Sequence, residues 1–452
     1  MAMSMSAGEA NALTLKREID WFRALLETRI TLYFQEPGGS GEIRHITPPS
    51  LEGDGSEYAR TVTRFGLGFD ERVILILALL PHTAPHELDT LFIRNRNLDR
   101  GFTEFGGWKG NSHGGFLPTC ETAAFILAGD DLKKRFEIIR LFEADHVFTN
   151  QGILRIESSS GNEPLFSGAL LITADYLSRF TTGSSHKPGF SSCFPARLIT
   201  TPLAWSDLVL GPEVLEEILT LTAWLEHSRV IMEEWGLASV VKPGYRGLFY
   251  GPPGTGKTLT ATLIGASAGV DVYRIDLSMV VSKYIGETEK NLASVFDQAQ
   301  NRNWILFFDE ADALFGRRTQ TSSSNDRYAN QEVSYLLQRV EDFPGMVILA
   351  TNLKANIDEA FARRFQSSVY FPLPDAEQRL RLWRGVLGKG YPLGDDVDLP
   401  SLAEEHEIPG GAIANVARYG AIRALRRGDR AVTQEDLLKG ISRELMKEGR
   451  TI

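Results

Sequence analysis

The octapeptide at residues 251–258, GPPGTGKT, constrains this chain more than any other stretch. It has the form GxxxxGK[ST], a P-loop, and it stands between a strand-like run at 247–250 and a helix-forming run at 259–268. Gly251, Gly254 and Gly256 let backbone N–H groups close on phosphate oxygens, with Pro252, Pro253, Thr255 and Leu259 completing the cradle. Lys257 is expected to reach the β and γ oxygens, and the Thr258 hydroxyl to ligate Mg²⁺. After residue 195, short apolar strands alternate with helical stretches, the signature of an α/β fold on a parallel sheet.

The acids that such a loop needs follow in order. Residues 305–308 are a buried-strand run that ends in Asp309 and Glu310. An apolar strand followed by two acids is usually structural, but beside a P-loop it reads as a Walker B element. Asp309 would then support the Mg²⁺ shell and Glu310 polarise the attacking water. A third strand at 346–351 delivers Asn352, placed to hydrogen-bond the γ-phosphate or the water. Arg363 and Arg364 lie in DEAFARRF at 358–365, and adjacent arginines are ordinarily a solvated face. In this order they suggest fingers that complete a neighbour's site, and a trans arginine implies a ring.

Composition sets outer limits. At 452 residues the prior is two to four domains. With 43% hydrophobic and 23% charged residues, disorder, collagen-like repeats and a coiled-coil rod are excluded as global descriptions. A net charge of −10 supplies no overall field toward nucleic acid or an anionic membrane. Cys120 and Cys193 stand apart with no CxxC, which suggests reduced thiols rather than a zinc site or a disulfide framework. Residues 1–20 lack the apolar core of a signal peptide, and the longest apolar run, 73–80, is far below the ~20 residues of a spanning helix. The expected location is cytoplasmic.

Upstream of the P-loop, residues 14–34 place Leu15, Ile19, Phe22, Leu26, Ile30 and Phe34 on one helix face. Residues 36–57 are crowded with Gly, Pro and Ser and read as a linker. Between 65 and 180 the pattern predicts helices over 71–80, from about His86, after Pro118 with Thr119 as N-cap, and over 131–142, then a hairpin around 158–164. Three or four helices and a hairpin suggest a winged-helix-like α+β domain. Its third helix, 119–128, has one acid and no base, unsuited to a DNA groove. The glycine-rich 106–115 reads as a loop, and 181–195 as a second boundary.

Residues 200–452 resemble an AAA ATPase of the protein-remodelling type, similar to the katanin, spastin and proteasomal ATPases. The motifs that carry the resemblance are GPPGTGKT, ILFFDEADALF, ATN and the ARRF arginines. It implies ATP and Mg²⁺ as cofactors, a homo-hexamer and a protein client. It also makes 282–287, SKYIGE, similar to a first pore loop, with Tyr284 between Lys283 and Ile285 gripping a translocating polypeptide; without it, Tyr284 is a surface tyrosine. The 316–330 stretch, with Arg317, Arg318 and Arg327, would include the second pore loop. Residues 409–413 lack a sensor arginine, so nucleotide sensing would use backbone contacts near Gly411 and Ala412, while the backbone from Asp207 to Leu210 would meet the adenine. At 341–343, Glu-Asp-Phe stands where those families carry Asp-Gly-Phe. Together with DRGFTEFGG and GFLPTCET near residues 99–122, residues 61–425 also resemble the AAA ATPases encoded with phage-tail-like contractile injection systems, which implies a role in particle assembly, loading or disassembly.

The expected organisation is an N-terminal helix and linker (1–60), a winged-helix-like domain (61–195), a large α/β P-loop subdomain (196–374) and a small helical subdomain (375–452). The expected function is coupling of ATP hydrolysis to remodelling or threading of a protein client. The alternatives are a winged-helix nucleic-acid motor or loader, which the acidic composition disfavours, and a nucleotide-switched scaffold that scarcely turns over.

Overall fold

The computed structural model describes residues 5–35, 42–97, 99–110, 112–157, 163–191, 194–276, 287–300, 302–311, 334–352, 363–388, 390–447 and 449. The chain forms two compact units, Met1–Lys187 and Pro188–Ile452.

In the first unit α1 (Ala7–Tyr33) begins at Ser6, whose hydroxyl accepts the Glu9 N–H at 3.3 Å while Glu9 takes the Ser6 N–H at 2.8 Å. This capping box sets the start well ahead of residue 14. After α2 (Glu57–Phe65) come α3 (Phe69–Thr83) and a 3₁₀ segment, Pro85–Phe92, in place of the helix expected from His86. Two short antiparallel pairs follow, β1 (Arg94–Asn95) with β2 (Arg100–Gly101) and β3 (Trp108–Lys109) with β4 (Phe116–Leu117), so the glycine-rich loop closes a hairpin. Next come α4 (Cys120–Ala128), α5 (Leu132–Arg140) and α6 (Val147–Asn150). The strands β5 (Leu154–Glu157) and β6 (Ala169–Ile172) pair antiparallel, and α7 (Ala174–Thr182) closes the unit.

The boundary expected at residue 60 does not separate two cores. Leu15, Phe22, Leu25 and Leu26 of α1 join the cluster that holds α3 and α4, because the apolar stripe of α1 is covered by those helices. The second boundary falls at 187/188 rather than 195. Residues 73–80 of α3 are buried on every side, the pattern of a core helix, and no helix among the described residues is long and apolar enough to cross a membrane. The helix that would read a groove, α4, is likewise buried apart from Glu121.

The second unit is built on a six-stranded sheet. Its elements are β7 (Ala196–Ile199), α8 (Pro212–Arg229), β8 (Tyr245–Tyr250), α9 (Lys257–Ala268), β9 (Val272–Asp276), α10 (Glu287–Gln300), β10 (Ile305–Asp309), β11 (Met346–Thr351) and β12 (Ser367–Tyr370). The strand order is β12-β8-β11-β10-β9-β7. Five strands run parallel and β7 is antiparallel to β9, so the sheet is mixed rather than wholly parallel. An edge strand pairs on one side only and can run either way. Ile305, Leu306, Phe307 and Phe308 are all fully buried, with apolar clusters on both faces, which is why β10 reads as a continuous run without alternation.

Four helices follow the sheet: α11 (Ala376–Val386), α12 (Leu399–Glu405), α13 (Gly410–Arg427) and α14 (Gln434–Lys447). They enclose a cluster of their own around Trp383, Ile413, Leu437 and Ile441. Asp436 of α14 is buried and receives Arg423 at 2.9 Å and Arg427 at 3.0 Å, tying α14 to the end of α13.

Candidate active site

The site lies at the carboxyl ends of three adjacent strands, β8, β11 and β10, which carry the P-loop, Asn352 and Asp309 respectively. Carboxyl ends of parallel strands are where open α/β sheets bind ligands. Gly251 leaves β8 at φ 143° with its N–H on the Thr351 carbonyl at 3.3 Å, and a Cβ there would sit 2.1 Å from the Phe371 carbonyl oxygen. Gly256 at φ 102° caps α9, so the chain turns into the helix with N–H groups facing the loop.

Lys257, the first residue of α9, is buried. Its Nζ donates to the Gly251 carbonyl at 2.7 Å, the Pro252 carbonyl at 2.9 Å and Asn352 Oδ1 at 3.0 Å. The amine is thereby held at the mouth of the loop and in contact with the polar residue of the next strand. Thr255 braces the turn by donating to the Pro252 carbonyl at 2.9 Å. Thr258 is partly exposed one residue into α9.

Asp309 ends β10. Its Oδ1 accepts the Glu310 N–H at 3.0 Å and its Oδ2 lies 3.1 Å from Arg274 Nε of β9. Glu310 has φ 53°, a left-handed conformation uncommon for a residue with a side chain, and the next N–H, of Ala311, is fixed to the Ala350 carbonyl at 2.9 Å. Backbone strain of this kind is retained where surrounding structure imposes it, commonly at active sites. Glu310 is exposed to solvent where water could be polarised.

These residues fit a magnesium nucleotide. The loop offers backbone N–H groups at a helix start, a buried amine and a shape that a Cβ at Gly251 would destroy. The Thr258 hydroxyl and the Asp309 carboxylate are hard oxygen donors of the kind Mg²⁺ takes.

The remaining predicted positions are more scattered. Gly411 N–H donates to the Gly254 carbonyl at 3.0 Å, so α13 starts against the P-loop, whereas Ala412 N–H is spent on the Pro409 carbonyl at 2.9 Å. Asp207 accepts the Ala204 N–H at 2.8 Å and caps a short 3₁₀ turn; its neighbour Leu208 is the residue that packs by Gly256. Arg363 and Arg364 are exposed ahead of β12, and Arg364 pairs with Glu341 of its own chain. Arg246 donates to the carbonyls of Val340 and Glu341, and Lys242 meets Asp342 at 2.8 Å, so the Glu-Asp-Phe segment is held from both sides. Lys283, Tyr284 and Ile285, with Arg317, Arg318, Arg327 and Cys193, lie outside the described residues. Sequence reasoning missed Arg274, while Leu208 lies within the 207–210 stretch expected near the nucleotide. The signal for Arg274 was a charge inside an apolar strand, interpretable only once β9 is paired with β10.

Residues 247–373 match the family described as ATPase family associated with various cellular activities (AAA). The chain is 32% identical over 251 residues to the katanin p60 ATPase-containing subunit A1 of Strongylocentrotus purpuratus, covering 52% of this chain and 46% of the relative. It is 31% identical over 287 residues to the ATP-dependent zinc metalloprotease FtsH 3 of Symbiobacterium thermophilum, covering 61% and 45%. With the proteasome-activating nucleotidase of Methanopyrus kandleri it shares 34% identity over 216 residues, covering 46% and 49%. The chain thus spans about half the length of the curated relatives it matches. Within that span, residues 247–373 are the part of the chain that is similar to the AAA family.

Proposed function

We propose that this chain is a Mg²⁺-dependent ATPase that works as a homo-hexamer to remodel or thread a protein client. The observation that carries the reading is the buried Lys257 amine, held between the P-loop carbonyls and Asn352 beside Asp309. When bound, the magnesium nucleotide supplies the phosphoanhydride to be cleaved and the cation that draws charge from it. Lys257 turns from the Gly251 and Pro252 carbonyls to the β and γ oxygens. Thr258 and Asp309 would hold the metal shell, and Glu310 would polarise water toward the γ phosphorus with Asn352 orienting it. Gly411 couples α13 to the loop through Gly254, so a change at the phosphates is felt by the helical group.

Arg363 and Arg364 complete the site of the adjacent subunit in this reading, which requires Arg364 to leave Glu341. Tyr284, flanked by Lys283 and Ile285, grips the client. The first unit, whose sequence pattern suggests a winged-helix-like domain, docks a protein in this reading. The burial of α4 and the net charge of −10 weigh against the nucleic-acid motor. Components of a contractile injection particle are the client class that the sequence resemblance favours. The test is capture from native cells with Glu310→Gln in ATP, with and without Tyr284→Ala. A client retained only when Tyr284 is intact supports threading, and client binding indifferent to Tyr284 or recovery of DNA-bound partners refutes it.

A further inference from the structure

Arg274 stands in β9, one strand from Asp309. Pairing aligns Arg274 with Phe307 and Asp276 with Asp309, so Arg274 reaches diagonally to the Walker B carboxylate on the same face. The contact is 3.1 Å, Arg274 being 38% and Asp309 18% exposed. Arg274 Nε makes no aligned hydrogen bond, so the contact is one of charge alone. With Oδ1 on the Glu310 N–H, both Asp309 oxygens have partners within the chain. A second carboxylate, Asp276, ends the adjacent strand in register with Asp309.

We infer that Arg274 is a positioning residue that guards the metal position: it holds Asp309 and competes with Mg²⁺ for it. Two carboxylates at neighbouring strand ends would attract a bare divalent cation, and the guanidinium offsets that charge. Mg²⁺ is then retained only where phosphate oxygens share it, so metal enters with nucleotide rather than ahead of it. Misaligned and partly exposed, the ion pair gives way easily, and the arginine swings to solvent without leaving a buried charge. This rests on the ATPase reading above.

The test uses the full chain in the Glu310→Gln background, titrating Mg²⁺ at fixed fluorescent ATP analogue. Arg274→Gln should lower the half-saturating Mg²⁺ by about three- to ten-fold, the range for losing one partly screened charge. Nucleotide affinity in EDTA should stay within about two-fold, and Arg274→Lys should retain the parent's Mg²⁺ requirement. Arg274→Ala serves if the glutamine variant does not fold. An unchanged or raised Mg²⁺ requirement in the charge-removing variant overturns the inference. If the parent shows no Mg²⁺-dependent nucleotide binding, the ATPase reading itself falls.

Discussion

Asp436 offers a quantitative check on how the helical group is held against the nucleotide loop. Its side chain is fully buried, and burial alone would raise its carboxyl. Arg423, the Thr433 N–H and hydroxyl, and Arg427 outweigh that and hold it down to about 2, from an ordinary 3.8. A shift of this size corresponds to roughly 2.5 kcal/mol. Discounted for solvent screening of the partly exposed arginines, about 1–2 kcal/mol is expected. Because the folded carboxyl is depressed, its contribution is complete above pH ~4 and disappears as the pH falls toward 2. Asp436→Asn should therefore accelerate hydrogen exchange of α13 and α14 by about five- to thirty-fold at pH 7, with the wild-type advantage narrowing below pH ~4. Because Gly411, in the first turn of α13, donates to the Gly254 carbonyl of the P-loop, nucleotide affinity should weaken too. Equal protection in variant and wild type at pH 7, or an advantage that persists undiminished to pH 2.5, would refute the reasoning.

Arg72 pairs with Glu18 at a site where both are buried, and the Tyr58 hydroxyl also donates to Glu18, at 3.1 Å. Arg72→Ala strands that carboxylate and should cost the first unit about 3–5 kcal/mol in urea denaturation, while equal stability would contradict the pairing. Gly251→Val should abolish nucleotide binding, because its side chain meets the Phe371 carbonyl and φ 143° does not suit it; binding measured by calorimetry at wild-type strength would show that the loop can rearrange. Burial pushes the Cys120 thiol up to about 12, so it should react with a maleimide only on unfolding, and prompt labelling of a Cys193→Ser variant would show α4 to be open.

The chemistry at the strand ends was more legible than the architecture around it. GPPGTGKT, the Asp309–Glu310 pair and Asn352 are local signals, each written in a few consecutive residues, and the sheet order places them together. Arg274 was not legible, because its meaning depends on which strand lies next to β9 and in what register. The antiparallel β7 was missed for a similar reason, since four residues at an edge carry no direction in their composition. In the first unit the Gly- and Pro-rich residues 36–57 looked like a boundary, yet α1 packs back across it; a linker's composition says that it buries little, not that its two ends part company. The α4 stretch allowed two readings, and its continuous burial selects core over groove.

The most direct test of the account is phosphate release by purified wild-type chain and Glu310→Gln with saturating MgATP, alongside nucleotide affinity of both. Steady turnover is expected in the wild type, with a loss of at least about 100-fold in Glu310→Gln and ATP affinity within a few-fold of wild type. Hydrolysis by Glu310→Gln at the wild-type rate, or none by the wild type under conditions where it binds MgATP and oligomerises, would contradict the account.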